Sequence, residues 1–262
     1  MEVLIRDTAE EGARLAAGVV RRLLREKPDA VLGLATGATP LRLYRELIRA
    51  YRAGELTLQR CRTFNLDEYV GLAADDPASY AAYMRENLFD HVDLAAEATR
   101  LPDGQAPDLQ VACQRYEAEI EAAGGIDLQV LGLGTNGHIG FNEPTGSLAS
   151  RTWVKILSEQ TRRDNSRYFG GDPERVPRYA LTMGIATILG SRHALLLAWG
   201  EEKADAVRRM IEGPVSAKCP ASALQLHPRV SVVLDAAAAS RLELGEHYAW
   251  IERNKMDWQR YD

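Results

Sequence analysis

Cysteine is scarce in this chain of 262 residues, which excludes a small fold held together mainly by disulfides. The three cysteines, Cys61, Cys113 and Cys219, are odd in number and far apart in the sequence. They therefore match neither a disulfide framework nor the paired spacing of a zinc site. We expect reduced thiols, as in cytoplasmic proteins.

Long apolar runs are also missing. No stretch approaches the roughly 20 residues that a helix needs to cross a bilayer. The first residues lack the basic start and apolar centre of a secretory signal. We therefore predict a cytoplasmic protein without a membrane partner.

The chain has no surplus of basic residues, since 37 acidic residues outnumber 32 Lys and Arg and give a net charge of −5. This balance does not support binding to nucleic acid. Low-complexity tracts, internal repeats and Pro/Gly/Ser linkers are absent as well. Because 46% of the residues are hydrophobic, the chain can bury a large core, and we predict a single domain over residues 1–262.

What the sequence does contain is an alternation of strand and helix patterns. Short apolar runs predict strands at 31–35, 62–66, 127–133, 153–157, 194–199 and 230–234. Helical spacing of apolar residues predicts helices at 8–26, 40–51, 78–89, 113–123 and 203–211. Such alternation predicts an α/β fold with an open, mostly parallel, Rossmann-like sheet and helices on both faces, a three-layer sandwich.

The most informative segment runs from Asp127 to Pro144. After an apolar start, it contains Gly134, Asn136, Gly137, His138, Gly140, Asn142 and Glu143. Glycines let a loop approach a ligand, and open α/β sheets bind ligands at the carboxyl ends of their strands. An imidazole and a carboxylate held there predict proton transfer on a small polar molecule. The alternative is a glycine-rich turn with solvated side chains.

A second segment, from Thr36 to Pro40, follows the strand at 31–35 and begins a helix. Its backbone amides and the helix dipole predict an anion site suited to phosphate, and the hydroxyls of Thr36 and Thr39 can add donors. The segment matches neither common nucleotide-binding loop, so a nucleotide is not predicted. The alternative is an ordinary capped turn.

Two acidic residues, Asp67 and Glu68, come directly after the strand predicted at 62–66. Carboxylates in this position are candidates for metal ligation or for general-base catalysis, and a helix cap is the alternative. No further carboxylate or histidine lies close by in the sequence, so we predict no metal site.

A polar stretch at 158–177 has the composition of a long loop, and such loops in compact domains often act as lids. Arg167 within it could clamp a phosphate with two hydrogen bonds, and a solvated arginine is the alternative. Lys203 begins the helix after the strand at 194–199, so its side chain could face the same edge of the sheet.

Together these segments resemble the glucosamine-6-phosphate deaminase (isomerase) family, within the superfamily that includes the 6-phosphogluconolactonases. The matching blocks are 34–41, 64–72, 132–144, 150–155, 165–167, 179–184 and 222–227. The lactonases are similar in the phosphate loop and in a Gly-His element, but Gly137 to Pro144 looks like the deaminase form.

The resemblance implies an enzyme of amino sugar catabolism that converts glucosamine 6-phosphate and water into fructose 6-phosphate and ammonia. It implies that Asp67 moves a proton between C2 and C1, and that His138 assists ring opening beside Asn136 and Glu143. The phosphate- and substrate-binding residues it implies are Thr36, Gly37, Ala38, Thr39, Gly137, Arg167 and Lys203. No cofactor is expected. Many family members carry aspartate where this chain has Asn136.

Three alternatives remain open at the level of sequence. The chain could be a 6-phosphogluconolactonase-type hydrolase, or a deaminase of another amino sugar phosphate such as galactosamine 6-phosphate. The least favoured alternative is a non-catalytic sugar-phosphate sensor, because one fold can carry several functions. The sequence allows a homo-oligomer but does not fix the number of subunits.

Overall fold

The structure, a computed structural model, describes residues 1–261. In that part of the chain the strands are β1 (Glu2–Arg6), β2 (Val31–Leu34), β3 (Arg62–Asn65), β4 (Asp67–Tyr69), β5 (Thr99–Arg100), β6 (Leu128–Gly132), β7 (Trp153–Ile156), β8 (Tyr179–Thr182), β9 (Ala194–Ala198) and β10 (Val230–Asp235). The α-helices are α1 (Ala9–Glu26), α2 (Leu41–Arg52), α3 (Tyr80–Asn87), α4 (Leu109–Ala122), α5 (Glu159–Asn165), α6 (Ile185–Leu189), α7 (Ala204–Ile211) and α8 (Gly245–Arg253). None of these helices combines the length and the apolar content that spanning a bilayer requires.

The central layer is a seven-stranded sheet in the order β1-β10-β9-β6-β2-β3-β5, and its strand pairs are parallel. Side chains along each strand alternate between two hydrophobic cores on opposite faces of the sheet. In β9, Leu195 and Leu197 pack under α1 and α2, whereas Leu196 packs on the other face with residues of α4 and α7. The predicted three-layer α/β fold is confirmed.

A smaller antiparallel sheet, in the order β4-β8-β7, lies outside this frame. The strand predicted at 153–157 exists as β7, but it pairs with β8 in the small sheet. The chain passes from one sheet to the other within a single residue: Leu66 still donates its N–H to Leu34 at the end of β2, and Asp67 already pairs with Thr182. This crossing carries Asp67 to the edge of the parallel sheet.

The stretch at 158–177 is more regular than the sequence predicts. It begins with helix α5, in which the amide of the third residue, Thr161, donates to the side chain of Ser158, and it continues in two 3₁₀ turns. Arg162 is buried and donates to the carbonyls of Pro173 and Val176, so the segment folds back on itself. The prediction of an irregular loop was wrong, because the buried side chains of α5, Thr161 and Arg162, are polar and leave no apolar periodicity.

Candidate active site

A cavity of about 200 Å³ opens at the carboxyl edge of the parallel sheet, where β2, β3, β6 and β9 end. Its lining comes from residues 35–39, from the crossing at Leu66 and Asp67, from the loop after β6, from α5 with the turn that follows, and from Lys203. This is the position at which open α/β sheets bind ligands, and the volume suits one small molecule.

The floor of the cavity is the turn between β2 and α2, which we call the phosphate loop (Thr36, Gly37, Ala38 and Thr39). Gly37 has φ of +97°, a left-handed conformation that glycine adopts without strain. Within residues 1–261 the amides of Gly37, Ala38 and Thr39 donate to no other protein atom. Free amides at the start of a helix bind anions, as the sequence predicts.

Two cations face this floor. Arg167 lies in the 3₁₀ turn after α5, is exposed, and holds its guanidinium carbon 4.9 Å from the centre of the Tyr168 ring. Lys203 enters from the turn after β9, and burial lowers the pKa of its ammonium group. Both side chains line the cavity, and cations of this kind pair with phosphate dianions.

The carboxylate of Asp67 faces the cavity from β4. It is buried, and within residues 1–261 it accepts no hydrogen bond. Burial, with a smaller contribution from the neighbouring Glu68 charge, raises the pKa of Asp67 to about 8. A carboxyl group with such a pKa can both take and return a proton near neutrality, as general acid-base catalysis requires.

Glu68 points to the other side of β4, because successive strand residues face opposite ways. Its carboxylate accepts from the amides of Tyr69, Tyr80 and Ala81 at 2.8–2.9 Å, and so caps the start of α3. The acidic pair is therefore divided between the cavity and the fold. Residues 1–261 contain no group of three or more His, Cys, Asp or Glu side chains arranged to hold a metal.

His138 is joined to Glu143 through Asn136. Nδ1 of His138 lies 2.7 Å from the side-chain oxygen of Asn136, and the Asn136 amide nitrogen donates to Glu143 at 2.8 Å. The other Glu143 oxygen accepts from the hydroxyls of Thr161 and Ser158 at the start of α5. This chain of contacts connects the imidazole to the helix that covers the cavity.

The contacts fix the tautomer of His138. Since the amide nitrogen of Asn136 faces Glu143, its oxygen must accept from the imidazole, and the ring proton therefore lies on Nδ1. Burial lowers the pKa of His138, which keeps the ring neutral at pH 7. The ring lies against Gly134, where a Cβ atom would come within 2.2 Å of it. Nε2 is left as the free acid-base atom.

Asn136, Glu143 and Gly137 are not among the residues that line the cavity. The first two support His138 from behind. Gly137 forms the turn itself: its φ is +89°, its amide donates to Gly134, and a Cβ atom there would lie 2.6 Å from the Cys219 sulfur.

Several lining residues were not predicted as site residues. They are Tyr80, Phe141, Thr161, Asp164 and Asn165, of which Phe141 and Asn165 lie in segments that match the family. Tyr80 stacks on Phe141 with ring centres 6.0 Å apart, and the Asn165 amide donates to the Tyr69 hydroxyl at 3.0 Å. The contacts join segments far apart in the chain, so a local pattern could not indicate them.

Comparison with known proteins agrees with this geometry. The sequence model of a family described as glucosamine-6-phosphate isomerases/6-phosphogluconolactonase matches residues 5–233. A protein named glucosamine-6-phosphate deaminase from Streptomyces coelicolor is 52% identical over 99% of both chains. One of the same name from Hahella chejuensis is 54% identical over 96% of both chains.

Solved structures give the same assignment. A structure described as a monomeric glucosamine-6-phosphate deaminase is 50% identical, with a TM-score of 0.89 over 92% of this chain and 100% of the other. A 6-phosphogluconolactonase from Trypanosoma cruzi, 20% identical with a TM-score of 0.72 over 92% and 97% of the two chains, shares the fold. This chain belongs to the glucosamine-6-phosphate isomerase/6-phosphogluconolactonase family, and its sequence is far more similar to the deaminases than to the lactonases.

Proposed function

We propose that this chain converts glucosamine 6-phosphate and water into fructose 6-phosphate and ammonia. The proposal is carried by two proton-transfer groups in one cavity: the Asp67 carboxylate, which has no protein donor within residues 1–261, and Nε2 of His138. An amino sugar must open its ring before the hydrogen on C2 becomes acidic. It therefore needs one acid-base group at the ring and another at C2.

In this proposal the substrate enters with its phosphate on the phosphate loop, between Arg167 and Lys203. Free amides and two cations neutralise the dianion and fix one end of the sugar. The buried lysine gains the most from this partner, because a nearby anion restores the pKa that burial lowers. The other end of the sugar then lies between the two acid-base groups.

His138 opens the ring. Nε2 accepts the proton of the C1 hydroxyl and returns it to the ring oxygen as the C1–O bond of the ring breaks. Asn136 holds the imidazole in the tautomer that leaves Nε2 free for this transfer.

Asp67 then moves the proton that isomerises the chain. Its carboxylate removes the hydrogen from C2, and a proton of the substrate ammonium group passes to the C1 oxygen, which gives an enolamine. Asp67 then returns its own proton to C1. Water adds to the resulting imine at C2, and ammonia leaves, which produces the ketone of fructose 6-phosphate. The ammonium group of the substrate favours the ionised carboxylate that the first step requires, because opposite charges lower the pKa of an acid. No net oxidation occurs, so the reaction calls for no redox cofactor.

We also propose that residues 158–177 act as a lid. Thr161, Asp164, Asn165 and Arg167 line the cavity from this segment, so its displacement would open the site to solvent. Closure over the sugar would exclude water while the enolamine exists. A cytoplasmic location accompanies the proposal, since the three cysteines are buried free thiols.

The experiment is to incubate the purified protein with a panel of sugar phosphates and to measure released ammonia. We expect turnover of glucosamine 6-phosphate and none of unphosphorylated glucosamine. Faster turnover of galactosamine 6-phosphate would change the assigned epimer. Hydrolysis of 6-phosphogluconolactone without ammonia release from any amino sugar would replace the proposal with lactonase activity.

A further inference from the structure

Three aromatic side chains hold the phosphate loop from behind. Each donates one hydrogen bond to a backbone carbonyl, and the three carbonyls belong to alternate residues. The pairs are Tyr44 hydroxyl to Ala35 at 2.5 Å, Tyr83 hydroxyl to Gly37 at 2.6 Å, and Trp199 Nε1 to Thr39 at 3.0 Å. Within residues 1–261 these three groups donate to no other protein atom, and the proton-transfer steps above do not use them.

The donors come from three separate elements. Tyr44 lies in α2, Tyr83 in α3, and Trp199 follows β9. None of the three lines the cavity, so they occupy the face of the loop that a ligand does not reach. Tyr44 and Trp199 are buried, and the Trp199 ring fits against Gly12, where a Cβ atom would come within 2.5 Å of it.

The anchored carbonyls determine where the amides point. In a trans peptide unit the C=O and N–H bonds point in opposite directions. With the Gly37 carbonyl held by Tyr83 on the back of the loop, the amide of Ala38 must point to the front, into the cavity. Tyr44 directs the amide of Thr36 in the same way. The peptide nitrogen of Pro40 carries no hydrogen, so the bond from Trp199 to the Thr39 carbonyl directs no amide. It instead fixes the turn where α2 begins.

We propose that Tyr44, Tyr83 and Trp199 are positioning residues that shape the loop into an anion site before the ligand arrives. The inference rests on the proposed function in that the anion is the phosphate of the sugar. A loop containing Gly37 in a left-handed conformation has other conformations available, including ones that turn a carbonyl oxygen toward the anion. Because the three hydrogen bonds exclude those conformations before the ligand binds, they lower the entropic cost of ordering the loop on binding.

The test measures binding of inorganic phosphate by titration calorimetry, in the unaltered protein and in Tyr83→Phe. The substitution keeps the ring and removes only the donor. We expect the Kd for phosphate to rise about 3- to 10-fold, the effect of one hydrogen bond worth about 1 kcal/mol. The KM for glucosamine 6-phosphate should rise by a similar factor, and kcat should fall by less than KM rises. Trp199→Phe should act in the same direction.

Tyr116→Phe is the matched control. The Tyr116 hydroxyl also donates to a backbone carbonyl, that of Asn65 at 2.7 Å, which belongs to β3 and not to the phosphate loop. We expect it to lower the melting temperature about as much as Tyr83→Phe and to leave the Kd for phosphate at the wild-type value. This difference separates positioning of the loop from general stability.

The outcomes are distinct. A wild-type Kd for phosphate in Tyr83→Phe would overturn the positioning role and leave the proposed function intact. Equal weakening of phosphate binding in Tyr116→Phe would also overturn it, because the effect would then be one of stability. No measurable phosphate binding by the unaltered protein would overturn the phosphate site itself, and with it the proposed function.

Discussion

The floor and the roof of the cavity are built on different principles. The floor and the neighbouring Asp67 follow directly on strands β2 and β3 of the parallel sheet. They are fixed by three aromatic donors and by the pairing of β4 with β8. The roof, residues 158–169, is attached mainly by polar contacts: hydroxyls on Glu143, an amide on Tyr69, and Arg162 on two carbonyls. Its one buried ring, that of Phe169, packs edge-on against Tyr69.

The difference separates two requirements of the site. Amides and a buried carboxyl group act well only when they are already in place, so they lie on rigid elements. The Arg167 side chain lies on a short turn that is exposed, and it can close onto a phosphate after the phosphate has entered. Substitution of Asp67 should therefore affect the chemical step, whereas substitution of Arg167 in the roof should affect capture of the substrate.

The largest effect is expected at Asp67. Asp67→Asn keeps the shape of the floor and removes the proton carrier, so kcat should fall by about 10²- to 10⁴-fold. Phosphate affinity should stay close to that of the unaltered protein, because the loop does not depend on this carboxyl group. Ammonia-release rates and phosphate titration measure the two quantities. Turnover near the wild-type rate would remove Asp67 from the mechanism.

The same variant has a second, independent signature in stability. Because the pKa of Asp67 is raised from 3.8 to about 8, the folded protein keeps a proton that the unfolded chain releases. Stability of the unaltered protein is therefore lost as the pH rises from about 4 to about 8, at up to about 1.4 kcal/mol per pH unit. Asp67→Asn removes this loss, so its melting temperature should exceed that of the unaltered protein most clearly above pH 8.

The next largest effect is expected in the roof. Arg167→Ala removes a cation that we propose binds the phosphate, so KM for glucosamine 6-phosphate should rise about 10- to 100-fold, the effect of a charged hydrogen bond. The matched control is Arg163→Ala, on the same segment but paired with Glu159 and Gln160. If both variants raise KM equally, the effect belongs to the segment and not to the Arg167 side chain.

A smaller effect should follow from removing the contact between the roof and Glu143, which supports Asn136 and His138. Thr161→Val is nearly isosteric and removes the hydroxyl that donates to Glu143. We expect a loss of about 3- to 10-fold in kcat/KM, since one buried hydrogen bond is worth about 1 kcal/mol. Ser166→Ala, which removes a hydroxyl from the other end of α5, should change it little. Equal losses would contradict a specific role for the Glu143 contact.

The smallest change should be a shift of pH dependence. Asn136→Asp puts a carboxylate beside the Nδ1 of His138, which raises the pKa of the imidazole. The limb of the pH-rate profile that reports His138 should move up by about one unit. Glu143 lies 2.8 Å from the replaced nitrogen and opposes a full shift, because two carboxylates in contact share a proton. An unchanged profile would mean that His138 does not titrate in the reaction.

The floor could be predicted from the sequence because its signals are local. A turn with Gly37 after an apolar strand, or an acid at the end of a strand, needs no knowledge of distant residues. The local pattern alone does not tell Asp67 from Glu68, since only the pairing of β4 decides which of two adjacent side chains faces the cavity. The resemblance to the family singled out Asp67.

The supports of the site could not be predicted. Tyr44, Tyr83 and Trp199 look like ordinary core aromatics until the fold brings their donors to three carbonyls of one loop. Helix α5 could not be predicted because its buried side chains, including Arg162, are polar like the rest of its sequence, so no apolar pattern indicates the buried face. Both errors arise where tertiary contacts decide what a local pattern cannot.

The side-chain amide of Asn136 also blocks proton transfer from His138 to Glu143. A carboxylate in its place could pass a proton from the imidazole toward Glu143, whereas a carboxamide holds its two hydrogens on nitrogen and accepts none at neutral pH. His138 can thus exchange a proton only through Nε2, and no proton can pass from its Nδ1 to Glu143 behind it. In the proposed ring opening, any proton that the imidazole takes from the sugar must therefore return to the sugar or pass to water in the cavity.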